Sequence, residues 1–170
     1  MTPRRDPPAT TGRRETTYAT PSDHELVITR TFDAPRTLVW AAFTDPAHVP
    51  HWHTGPDGTT MPVCEIDLRP GGRWRYVWRN AHGREIEASG TYREVDPPRR
   101  IVSLVTNRRG KQTNTTTFAE DQGCTVVTVS MRFASTAARD QALPYAKIGT
   151  DGNYARLDAY LATSPSPITP

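Results

Sequence analysis

The stretch Arg69 to Asn80 reads RPGGRWRYVWRN. After the Pro-Gly-Gly turn, Trp74, Tyr76 and Trp78 take every second position, with Arg73, Arg75 and Arg79 around them. Strict alternation is the period of a β-strand, so the three aromatics share one face and the arginines stand on the other. That aromatic face is bulkier than a two-layer core requires, and arginine beside aromatics is also a base-stacking pattern. Core, ligand cavity and RNA platform are therefore the readings that the rest of the chain must separate.

A chain of 170 residues is enough for one well-buried domain and short for two. The hydrophobic fraction of 35% is low, but 16 prolines and a polar start depress it. Residues 1–22, MTPRRDPPATTGRRETTYATPS, hold almost no aliphatics and are expected to form a disordered tail. The folded domain is expected over 23–163, with SPSPITP at 164–170 frayed. In that tail Arg4, Arg5, Arg13 and Arg14 outnumber Asp6 and Glu15 by two, so only +1 of the formal +3 belongs to the domain. A nearly neutral body argues against a nucleic-acid footprint. No apolar run of about 18 residues and no signal-like start is present, which predicts a soluble cytoplasmic protein without membrane insertion. Cys64 and Cys124 are too few for a disulfide framework and read as free thiols on different strands.

Along the chain, HELVITRTF at His24 to Phe32 alternates as a strand, and Asp33-Ala34-Pro35 turns into a short helix. Leu38, Val39, Ala42 and Phe43 give that helix an apolar stripe with Trp40 beside it. A second short helix is expected from Asp45-Pro46 to Trp52, stopped by Thr54-Gly55-Pro56. Six further strand-like runs begin near Met61, Gly72, Glu85, Arg100, Thr113 and Cys124, divided by turn signals such as His82-Gly83 and Arg109-Gly110. Helical spacing of Tyr154, Leu157 and Leu161 places a last helix over about Gly149 to Ala162. The predicted class is α+β: about seven antiparallel strands, two short helices after the first, and one C-terminal helix.

The segments ITRTFDAPRTLVWAAFTDP (28–46), HW and GP around residues 51–56, CEIDLRPGGRWRY (64–76), GTYREVDPPRRIV (90–102) and ARLDAYL (155–161) also carry a family resemblance. Together they resemble the activator-of-Hsp90-ATPase-like branch of the START/Bet v 1 superfamily over about residues 24–162. The resemblance implies a helix-grip fold, a curved antiparallel sheet wrapped around the C-terminal helix with a cavity between them. Trp74, Tyr76 and Trp78 would then be a cavity wall, and the RNA platform loses its support because a helix covers the face. Relatives often carry tryptophan where His53 stands, with no counterpart of Thr54, which makes His53 the candidate polar contact to a ligand.

The expected lining is Trp40, Trp52 and His53 from the helical segment, Trp74, Tyr76 and Trp78, Tyr92 from the next strand, and Tyr154 from the last helix. The expected ligand is a hydrophobic or aromatic small molecule, lipid- or polyketide-like. His48, His51 and His53 lie close in sequence, but their spacing and the lack of acidic or cysteine partners at ligand spacing predict no metal site, and no cofactor is expected. Alternation puts most of Glu65, Asp67, Glu85, Glu87 and Glu94 on the solvent side of strands, so no catalytic carboxylate pair is read. Nucleophile elbow, phosphate loop and zinc signature are all missing. Two alternatives stand beside simple binding: a polyketide cyclase or aromatase, and a partner-protein modulator of a chaperone ATPase. A homodimer is left open.

Overall fold

The computed structural model describes residues 15–163. Eight strands form a single antiparallel sheet: β1 (Thr17–Ser22), β2 (Glu25–Phe32), β3 (Thr60–Ile66), β4 (Arg73–Arg79), β5 (Glu85–Asp96), β6 (Arg100–Asn107), β7 (Gly110–Asp121) and β8 (Cys124–Phe133). Their order across the sheet is β1-β2-β8-β7-β6-β5-β4-β3. Helix α1 (Arg36–Thr44) follows β2, and α2 (Thr136–Thr163) closes the chain. Every neighbour except the β2–β8 pair is a hairpin, so the sheet is a meander closed by one long connection.

Three expectations change. Thr17–Ser22, placed in the disordered tail, forms β1 and pairs with β2, Tyr18 opposite Ile28. Residues 1–14 and 164–170 lie outside the described residues. The second short helix shrinks to a 3-10 turn at Val49–His51, because Pro50 leaves no room for a longer hydrogen-bonded run. Helix α2 begins at Thr136, well before Gly149, and runs through Pro144. Its buried residues are Asn153, Tyr154, Leu157 and Leu161, all in the second half, while Ala138, Ala142 and Ala146 of the first half pack against the core only partly buried.

The register shows which side chains share the covered face. One row runs Tyr92, Ser103, Asn114, Met131, Leu26 across five strands. The next runs Ile101, Thr116, Val129, Ile28, Tyr18. Beside them Trp74, Tyr76 and Trp78 sit opposite Gly90, Ala88 and Ile86. Beneath α1 and α2 this face is packed at one end, where Phe32, Phe118, Val127 and Leu157 are almost fully buried. Arg30 of β2 ion-pairs with Asp158 of α2 and fixes the helix across that end.

The RPGG turn earns its glycines by geometry. Gly71 has φ +81°, and a Cβ on Gly72 would lie 2.0 Å from the Asp67 carbonyl oxygen. The turn also docks on β5: the Gly71 N–H donates to Tyr92 O over 2.8 Å, and the Tyr92 N–H to Gly72 O over 2.9 Å. It meets β5 where the β5–β6 register shifts, between Tyr92 and Glu94. Gly90 serves a different need. A Cβ there would stand 2.5 Å from both Leu104 O and Trp74 Nε1, so its absence lets the indole of Trp74 lie against the sheet.

Candidate functional site

Away from the packed end the two layers do not meet. One lobe of about 230 Å³ opens between α2 and the sheet, walled by Ile28, Phe43, Trp52, Val129 and Met131, with His53, Tyr76, Asn114, Asn153 and Tyr154 supplying polar atoms. A second lobe of about 240 Å³ lies over β4 to β7, bounded by Trp74, Tyr92, Ile101, Ser103 and Val105. The lobes share Phe43, His53, Tyr76, Asn114 and Thr116, which form a waist between them. Beyond His53 and Asn153 an outer groove of about 450 Å³ runs between the loop from Thr54 to Thr59 and Trp78, Asn80 and Ile86.

His53 is central to all three spaces. Its ring stacks on Trp52 with centroids 5.1 Å apart, and meets Tyr76 and Trp78 edge-on at 5.7 and 5.4 Å. Burial among these rings, helped by the positive charge of Arg156, pushes its pKa down to about 4. The imidazole is therefore neutral at physiological pH, one nitrogen a donor and the other an acceptor.

The loop that carries His53 is held through its backbone. Trp78 Nε1 donates to His53 O over 2.6 Å. Arg156 donates to Trp52 O over 3.3 Å and also to Gly55 O, while Asn153 Oδ1 accepts from Gly55 N over 2.9 Å. A 2.8 Å bond from Arg156 to Asn153 Oδ1 completes the clasp.

Of the expected lining, Trp52, His53, Tyr76 and Tyr154 meet in the first lobe, and Trp74 and Tyr92 join Tyr76 in the second. Two residues stand elsewhere. Trp40 points into the packed end, edge-on to Phe118 at 5.2 Å, because its turn of α1 faces the core. Trp78 lines the outer groove, since the His53 loop lies over its ring and separates it from the lobes. His48 and His51 turn outward to Tyr160: His48 Nδ1 is 2.6 Å from its hydroxyl, and the His51 ring stacks on it at 5.0 Å. Among the described residues no group of three metal-ligating side chains is assembled.

Sequence reasoning missed Asn114, Thr116 and Asn153. The signal was present for the first two: Phe118 is a core residue of β7, and alternation puts 116 and 114 on its face. Asn153 was hidden because polar residues on a helix are ordinarily read as solvent-facing.

The hydroxyls of Tyr76, Tyr92 and Tyr154 are kept protonated, burial being the first cause in each case. Among the described residues none of the three is hydrogen-bonded to protein. Cys64 lies opposite Tyr76 on β3, a free thiol whose pKa burial raises to about 11.

An eight-stranded antiparallel sheet closed by a C-terminal helix over an aromatic cavity defines a helix-grip protein. The chain belongs to the family described as activator of Hsp90 ATPase homolog 1-like protein, whose model matches residues 33–162. It is similar to a solved protein of Rhodobacter sphaeroides, 28% identical with TM-score 0.84, over 88% of this chain and 100% of that one. Protein Ms6760 from Mycobacterium smegmatis is likewise 28% identical, with TM-score 0.75, over 89% of this chain and 100% of that one. An AHSA1-like protein from Aeromonas hydrophila, 21% identical with TM-score 0.66 over 82% and 98% of the two chains, shares the fold. No curated protein matches the chain. Among the described residues no helix is long and apolar enough to cross a membrane.

Proposed function

We propose that the chain binds a hydrophobic small molecule, aromatic or polyketide- or lipid-like, in the two-lobed cavity between the sheet and α2. The observation that carries this reading is the set of tyrosine hydroxyls, Tyr76, Tyr92 and Tyr154, left without protein partners on the cavity wall. A collapsed aromatic core pairs such groups, because an unpaired buried hydroxyl is costly. A wall that presents them to a space suits a ligand with complementary groups.

Binding is favoured over turnover. A cyclase-like role would assign proton movement to His53 or a tyrosine, and burial moves both kinds of group away from neutrality, His53 down and the tyrosines up. Modulation of a chaperone ATPase stays attached to the family description and draws on no feature of the cavity.

The test is titration with prodan, an uncharged naphthalene probe whose emission shifts to the blue in apolar surroundings. Saturable 1:1 binding with quenching of tryptophan emission is expected. A linear, unsaturable response would overturn the reading.

A further inference from the structure

The lining of the two lobes is uniform in charge. Among the described residues that bound them there is no aspartate, glutamate, lysine or arginine. The titratable groups that do bound them, Tyr76, Tyr92, Tyr154 and His53, all sit in their neutral forms at pH 7. Cys64, beside Tyr76 on the neighbouring strand, is a neutral thiol.

Charges stand nearby, but none is on the lining: Asp67 and Asp45 act as anions on Tyr92 and Cys64, and the cations Arg30 and Arg156 act on Tyr154 and His53 from outside the lobes. Arg30 lines neither lobe: its terminal nitrogens go to Asp158 and Thr16, its Nε is buried without a partner, and its charge reaches the first lobe only through Tyr154. Asp151 accepts from the hydroxyl of Tyr18 over 2.7 Å at the edge of the sheet. Arg156 donates to the carbonyls of Trp52 and Gly55 and lies behind Asn153 from the cavity, with Asp57 3.9 Å away. A carboxylate entering either lobe would lose its hydration with no cationic side chain on the lining to pair with it, and such a transfer is strongly unfavourable.

The same wall is rich in uncharged hydrogen-bonding groups. Tyr76, Asn114 and Thr116 form the waist with His53, while Ser103 and Tyr92 stand on the second lobe and Tyr154 on the first. Hydroxyls, an amide and a neutral imidazole match ketone, ester and phenol oxygens, accepting as well as donating. Each lobe also exceeds the roughly 150 Å³ apolar cavity that suffices to hold benzene, so a fused bicyclic ring has room.

From this arrangement we infer that the cavity selects uncharged, oxygenated aromatic molecules and rejects carboxylates, an inference that rests on the binding reading above. Fatty acids and other anionic lipids are thereby excluded as its ligands.

The experiment is isothermal titration of the full chain at pH 7.5 with 2-naphthol, methyl 2-naphthoate and 2-naphthoate, which share one ring system. The expected result is saturable binding of the phenol and the ester, with the carboxylate weaker than the ester by at least tenfold. A carboxylate within tenfold of the ester, or tighter, overturns the selectivity and leaves binding itself intact. If that carboxylate binding is then lost in Arg156→Met, the guanidinium reaches the cavity and the assignment of its charge elsewhere is wrong. Failure of all three compounds to bind overturns the binding reading and this inference with it.

Discussion

The indole N–H of Trp78 donates to the main-chain carbonyl of His53 across 2.6 Å. This bond ties β4 to the loop that places the imidazole between the inner lobes and the outer groove. Trp78→Phe keeps an aromatic surface and deletes the donor, leaving a part-buried carbonyl unpaired. The expected loss is about 1–2 kcal/mol in urea denaturation. Stability unchanged from wild type would show that the loop is held without Trp78.

Arg156 is the other half of the same clasp. Arg156→Met removes its bonds to Trp52 O, Gly55 O and Asn153 Oδ1 while retaining much of the side-chain length. Backbone amides from Thr54 to Thr59 should then exchange faster with solvent. The pKa of His53 should rise but stay below 6.5, because burial is its first cause and Arg156 the second. An imidazole titration by NMR that shows no change would remove Arg156 from the electrostatics of the site.

His53 makes folding sensitive to acid, and the sign is set by its lowered pKa. Unfolded, the imidazole binds a proton near pH 6.5; folded, near pH 4. Between these values the unfolded chain holds more protons, so stability falls as pH drops through the window. In His53→Gln the loss of stability between pH 7 and pH 4 should shrink by on the order of 2–3 kcal/mol. Parallel curves for the two proteins would mean that His53 titrates normally.

Gly90 fits under Trp74 with no space to spare. In Gly90→Ala the new Cβ meets Leu104 O and the indole at 2.5 Å, and the backbone oxygen cannot move without disturbing β6. A loss of about 2 kcal/mol or more is expected by thermal unfolding, since overpacking ordinarily costs 1–3 kcal/mol. A loss below about 0.5 kcal/mol would show that the indole relocates freely.

The alternating aromatics of β4 and the turn residues made the meander legible, because strand period and glycine chemistry are local properties. Strand β1 was not, since TYATPS is almost wholly exposed and is held by pairing with β2 and by Tyr18, which reaches Asp151 on α2. The first half of α2 was masked for a similar reason. Pro144 is a helix breaker by propensity, and tertiary context overrides that preference. For the site, composition pointed to Trp52, Tyr76 and Tyr154, but which face of α1 carries Trp40 depends on how the helix is rotated against the sheet. The separation of Trp78 from the lobes depends on a loop path that no periodicity encodes.

Methyl and imidazole NMR during a prodan titration tests the cavity most directly, because it reads where the ligand sits as well as whether it binds. The expected result is saturable 1:1 shifts at the methyl groups of Ile28, Val129 and Met131 and at the ring of His53, which line the first lobe. Shifts confined to Ile86 and Ala81 of the outer groove, or no saturable shifts at all, would contradict an internal binding site.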